Sequence, residues 1–251
     1  MRIKILIFLC ISLLLSQDAW SQSVITRDRK ESSSKKQKPQ NSRTTNGSKN
    51  NISVSSATGS KNGKEYVDLG LPSGTKWART NIGATNPQAY GNYFAWAEVT
   101  PKTHYTKETC TYEGQKLNEI TPDLDAATVN WGSQWQTPTL EQFKELKDKC
   151  KWTWVRLGSE NTPGTYGYKV TGPNGNSIFL PAAGWKDDTK IDGENKKGSY
   201  WTKTIFKDTT PHRNLTTSCN IGLEKDYINL DLDMKGWAIP YLGRTIRPVT
   251  Q

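Results

Sequence analysis

The residues best suited to hold a ligand lie in the last quarter of the chain. Over 227–234, Ile228, Leu230, Leu232 and Met234 alternate with Asn229, Asp231 and Asp233. Side chains along a strand point to alternate faces, so this run places apolar residues on one face and a row of one amide and two carboxylates on the other. Such a row could hold a hard cation such as calcium, or accept hydrogen bonds from sugar hydroxyls. The competing reading is an ordinary solvated strand face, because oxygen ligands from a single strand seldom complete a calcium shell. Trp237 and Tyr241 follow directly, and Trp185 and Trp201 precede the run. Their rings offer flat apolar surface for stacking. The candidate ligand-binding set is therefore Trp185, Trp201, Asn229, Asp231, Asp233, Trp237 and Tyr241, with calcium as the one cofactor considered.

Catalytic arrangements fit less well. A Ser-His-Asp system needs a histidine, and the chain has only His104 and His212, both in polar surroundings without a nucleophile motif. A zinc site requires clustered cysteines and histidines, and none is so spaced. No glycine-rich phosphate loop is present. Paired carboxylates for glycoside hydrolysis stay open, since Asp and Glu are plentiful and their separation is not a property of sequence. No catalytic residue is assigned.

Several elements would position these side chains. Lys169–Thr171 and Ser177–Leu180 flank Gly172-Pro-Asn-Gly-Asn176, whose Asn174-Gly175 pair tolerates the positive φ angles of a tight reversal. A hairpin is expected there. Thr139 with Gln142 three places on forms a capping-box pattern, and Leu140, Phe143, Leu146 and Cys150 recur at helical spacing. A helix over 140–149 follows, with Cys150 read as a small buried hydrophobe. Asp125–Asn130 suggests a second, short helix. Trp152 and Trp154 share one side of a strand. The aromatic-dense run 89–97 reads as core rather than as a sugar platform, and 100–121 as a long surface loop. A strand near Tyr66–Leu69 opens the fold, and one over 245–249 closes it.

Composition sets the outer limits. Arg2 and Lys4, an apolar stretch over 5–15 and Ala19-Trp20-Ser21 make a secretory signal peptide ending at residue 21. The apolar stretch is too short for a permanent membrane span, and none approaches that length beyond it. Residues 22–63 hold nine Lys and Arg against Asp28 and Glu31 and carry most of the net charge of +10. With so little apolar surface to bury, they read as a disordered basic linker. A solvated spacer at an anionic envelope fits better than a nucleic-acid arm, because charge alone is nonspecific. Neither a nucleic-acid partner nor an integral membrane segment in the mature chain is expected. Cleavage would leave Cys110, Cys150 and Cys219, an odd number, so at most one internal disulfide can form; pairing of Cys110 with Cys219 stays open.

Taken together, EYVDLGLPSGTKWA, YGNYFAWAE, DAATVNWGSQWQTPTLEQFKEL, GYKVTGPNGNSIFLPAAGW, GSYWT and TIRPV resemble the Fibrobacter succinogenes major paralogous domain family. The resemblance covers residues 64–251. It implies an α+β, C-type-lectin-like or formylglycine-generating-enzyme-like domain, with paired N- and C-terminal strands, small antiparallel sheets and one or two helices. It also implies recognition through the loops between Thr202 and Leu242. The segment after Trp201 departs from the serine-rich pattern common in the family, and Cys219 lacks the partner cysteine that formylglycine chemistry would need. The resulting expectation is an exported, non-catalytic binding module in the periplasm, on the surface or secreted, recognising a glycan or an envelope or host protein. A structural or adhesive surface protein and a glycan-processing enzyme are the alternatives.

Overall fold

A row of three buried side chains ties the start of the domain to its end. In the computed structural model, which describes residues 53–158, 164–208, 215–230 and 239–251, Val67 faces Trp77 and Trp77 faces Val249 across neighbouring strands. All three are fully buried. They belong to a four-stranded antiparallel sheet made of β1 (Gly59–Lys61), β2 (Lys64–Asp68), β3 (Lys76–Ala78) and β12 (Val249–Thr250), in that order. The last strand therefore lies beside β3, and the expected direct pairing of the closing strand with the opening strand near Tyr66–Leu69 is corrected: β3 stands between β2 and β12. β1 falls inside the stretch that composition assigned to the linker, and Val54 packs against Val155, Leu157 and Phe179.

The class is also corrected. Strands take up 37% of the structure and helices 9%, so the protein is β-rich rather than α+β. The physical reason is visible in the pattern. Runs rich in β-branched and aromatic residues recur along the chain. β4 (Lys151–Leu157), β5 (Thr165–Thr171) and β6 (Ser177–Pro181) form one sheet; β9 (Lys197–Asp208), β10 (Leu215–Glu224) and β11 (Tyr227–Asn229) form another. β7 (Trp185–Asp187) and β8 (Lys190–Asp192) make a small separate hairpin. All pairings between these strands are antiparallel. Helical periodicity with a cap occurs at α2 (Leu140–Lys149), and a single turn and a half at α1 (Ala126–Trp131).

The expected local features are present. Thr139 Oγ1 accepts from the Gln142 N–H at 3.2 Å, and Gln142 Oε1 accepts from the Thr139 N–H at 2.9 Å. This reciprocal box starts α2, whose Leu140, Phe143 and Leu146 are buried. Phe143 meets Trp77 with ring centroids 4.8 Å apart. Burying a side chain of that size contributes roughly 1.5–3 kcal/mol. The β5–β6 turn is closed by Gly172 N–H to Asn176 O at 2.8 Å, and Gly175 takes φ +85°. Asn174 and Asn176 side-chain amides then donate to Asp68 O, docking this turn on the end of β2. Trp152 and Trp154 both meet Tyr168 edge-on. Tyr93, Phe94 and Trp96 are buried, as the core reading of their run expects. In the polar 100–121 stretch, Tyr105 and Cys110 turn inward and are buried.

Beneath the closing segment, Arg247 is fully buried. Its Nε donates to Asn81 Oδ1 at 2.7 Å, Nη1 to the Ala78 and Arg79 carbonyls at 3.2 Å, and Nη2 to Phe179 O at 2.8 Å. One side chain thus links β3, β6 and the end of the chain. Cys110, Cys150 and Cys219 are free thiols. Among the described residues no helix is long and apolar enough to cross a membrane. The signal peptide and most of the basic linker lie outside the described residues.

Candidate functional site

β10 alternates cleanly at its C-terminal end. Ile221 and Leu223 are buried in the main core, while Asn220, Gly222 and Glu224 occupy the alternate positions. These three line a surface pocket with the first residues of β9 opposite them. The β7–β8 hairpin forms a second wall through Trp185, Asp187 and Asp192, and Ile239, Tyr241 and Leu242 form a third. The cavity measures about 490 Å³.

Backbone geometry holds the walls in place. Gly184 precedes β7 with φ +63°, and a Cβ there would stand 2.0 Å from Asp192 O. Only glycine lets the two ends of the hairpin approach so closely. The Gly184 N–H donates to Lys197 O at 2.6 Å, joining the hairpin to β9. Lys186 and Gly243 exchange backbone bonds at 2.7 and 2.9 Å, joining the hairpin to the third wall. Lys186 extends away from the pocket, with its Nζ over the rings of Tyr93 and Tyr105 at 5.5 and 5.6 Å.

The pocket mixes two half-buried aromatic rings with polar groups. Trp185 and Tyr241 supply the rings. Across β9 and β10, Lys197 Nζ pairs with Glu224 Oε1 at 2.7 Å, with both side chains nearly half exposed. Asp187 and Asp192 are exposed. Ser199 is buried at the base, where its Oγ accepts from Arg244 Nε at 2.8 Å and from Asn220 Nδ2 at 3.4 Å. Arg244 itself is 6% exposed, and burial lowers the pKa of its guanidinium to about 9.

The sequence-expected residues divide. Trp185 and Tyr241 come together in this pocket, and Asn229 sits on β11 directly opposite Gly222 of its lining. Trp201 does not join them and is corrected: it is 2% exposed, its Nε1 donates to Phe94 O at 2.7 Å, and Arg244 covers its ring at 4.2 Å. It is a core residue. Asp231, Asp233 and Trp237 lie outside the described residues, as does the strand expected beyond Asn229. Much of the expected loop region after Trp201 is instead the long β9–β10 ribbon, because Thr204, Ile205 and Phe206 continue a strand. Sequence reasoning missed Ser199, Asn220, Glu224 and Arg244. The alternation of Asn220, Gly222 and Glu224 with Ile221 and Leu223 was the available signal.

Other potentially reactive groups lie outside this pocket. His104 Nδ1 lies 2.7 Å from Asp188 Oδ1, with both side chains more than half exposed. Burial pushes the thiols of Cys150 and Cys219 up to about 11 and raises that of Cys110. A thiol kept protonated at neutral pH is a poor nucleophile. Among the described residues no three His, Cys, Asp or Glu side chains gather into a group that could hold a metal. His212 lies outside the described residues. Comparison with protein-family models, curated proteins and solved structures finds no match to this chain.

Proposed function

We propose that this chain is an exported binding module that recognises a glycan in the pocket between the β7–β8 hairpin and the β9–β10 ribbon. The observation that carries the reading is the pair Trp185 and Tyr241, two half-buried aromatic side chains on the walls of one cavity whose lining mixes apolar and polar groups. Sugar rings present apolar C–H faces and polar edges, and a site combining flat rings with hydrogen-bonding side chains matches both. Asn220 and the exposed Asp187 and Asp192 supply donors and acceptors for hydroxyls. Resemblance to the exported family named above agrees with this reading, as does the signal-peptide pattern at residues 1–21.

A glycan-array screen of the purified chain, with and without calcium, tests it. The expected result is binding to a restricted set of glycans that disappears in Trp185→Ala, while thermal stability stays near that of the parent. No binding under either condition removes the glycan reading and leaves an envelope or host protein as the partner. The three carboxylates in the pocket, Asp187, Asp192 and Glu224, give one specific reason to follow the same glycans for cleavage. Release of shortened products would replace recognition by glycan processing.

A further inference from the structure

Two arginines are buried near the end of this chain, and their surroundings differ. Every nitrogen of Arg247 reaches an oxygen: Asn81 Oδ1, two carbonyls of β3 and the residue after it, and Phe179 O. Among the described residues Arg244 is bonded at only two. Its Nε donates to Ser199 Oγ at 2.8 Å and its Nη1 to Ile239 O at 3.0 Å, whereas Nη2 has no acceptor among the described residues. The stacking of the guanidinium on Trp201 at 4.2 Å fixes its plane. No carboxylate among the described residues forms an ion pair with it. Yet Arg244 is 6% exposed and lines the same pocket as Trp185 and Tyr241.

The edge that a largely buried cation turns toward a cavity is a strong site for an anion or a good acceptor. Arg247 shows that this fold can saturate a guanidinium where it serves only as a tie. The pocket itself selects the kind of anion. Lys197, the other cation in the lining, is already paired with Glu224 at 2.7 Å. Asp187 and Asp192 stand on the rim, where a group of two charges would meet them at short range. They are exposed, so solvent and salt weaken their repulsion of a single charge, whereas a buried guanidinium is screened far less. Charge, rather than shape, therefore selects a carboxylate: it meets the guanidinium edge through charge-assisted hydrogen bonds while bringing a single negative charge past the rim.

We infer that the pocket takes an acidic sugar, with the carboxylate of a hexuronate or sialate bonded to Arg244 Nη2 while its ring lies against Trp185 and Tyr241. The inference rests on the glycan reading of this pocket and specifies its substrate class. Hydroxyls of the same sugar then meet Asn220 and the rim carboxylates, which act as acceptors.

The test is calorimetric titration of the full chain with glucuronate, galacturonate and N-acetylneuraminate, each beside the sugar in which the carboxylate is reduced to an alcohol. The acid of at least one pair is expected to bind about 10- to 100-fold more tightly than its reduced partner, the range for a charge-assisted hydrogen bond in a desolvated site. Arg244→Gln is expected to abolish that difference while Trp185→Ala weakens both members of the pair. If Arg244→Gln fails to fold, the acid-to-alcohol ratio in the parent decides alone. Equal binding of acid and alcohol, both sensitive to Trp185→Ala, overturns the inference and leaves the glycan reading standing. Absence of binding to every probe overturns the inference, while the glycan array decides the reading on which it rests.

Discussion

Asp125 offers the sharpest test of how the fold is held. It is 3% exposed and serves as the N-cap of α1. Its Oδ1 accepts from the Ala127 N–H at 2.9 Å and from Thr137 Oγ1 at 2.6 Å, and the Thr137 N–H reaches Oδ2 at 3.0 Å. The carboxylate therefore closes the segment between α1 and α2 into a loop, and Pro138, next along, accepts from the Lys203 N–H of β9. Asp125→Ala leaves two backbone N–H groups and one hydroxyl without their acceptor. Losing a cap costs about 1 kcal/mol, and each further buried donor left unpaired adds roughly 1–3 kcal/mol. The expected loss is about 3–7 kcal/mol, a large part of the roughly 5–15 kcal/mol typical of a domain. Thr137→Val keeps the shape, removes one of the three donors, and should cost about 1–2 kcal/mol. Asp125→Asn should cost less than Asp125→Ala, because its Oδ1 can keep all three donors, the Thr137 N–H among them at 3.1 Å, while Nδ2 replaces the second acceptor of that N–H. Urea unfolding followed by tryptophan fluorescence reads all three, with Trp131 and Trp135 as nearby reporters. A loss below about 1 kcal/mol for Asp125→Ala at unchanged m would refute the accounting.

Two more outcomes follow from the same coordinates. Because burial raises Cys150 and Cys219 from 9.0 to about 11, the folded chain keeps protons that the unfolded chain releases. The stabilisation they give is fully present below about pH 9 and declines as pH rises toward 11, so the urea midpoint should fall over that window and fall less in Cys150→Ala; equal slopes in parent and variant would count against it. Gly184→Ala sets a Cβ 2.0 Å from Asp192 O at φ +63°, and a loss of about 2–4 kcal/mol is expected in thermal unfolding. A parent-like Tm would show that the hairpin is not held as described.

Local grammar was readable wherever one short stretch carried its own instructions. The Thr139 and Gln142 box, the apolar stripe of α2 and the Asn174-Gly175 turn depend on neighbours a few residues away, and all are found where their residues indicated. Strand order is a different matter. The preference of Val249 for Trp77 over the opening strand depends on how β2 and β3 pair first, and nothing in either segment states this. The class correction has a different source. Both expected helices are present, but the recurrent β-branched and aromatic runs fill far more of the chain, so their sum makes the domain β-rich.

The site shows where a stronger sequence argument was available. Arg244 and Arg247 stand three places apart in a segment that pairs like a strand at both ends. An odd spacing sends such side chains to opposite faces. A closing strand of a β-rich domain has at most one face in solvent, so at least one of the two guanidiniums had to be taken inside. A buried arginine must then find oxygens, and the number it finds separates two roles. Arg247 meets a full set from the protein and acts as a tie across three parts of the fold. Among the described residues Arg244 meets two, in contacts 45 and 5 residues away in sequence, and it lines a cavity. The spacing points to a buried cation; only the count of its acceptors, which needs the folded chain, separates the two arginines.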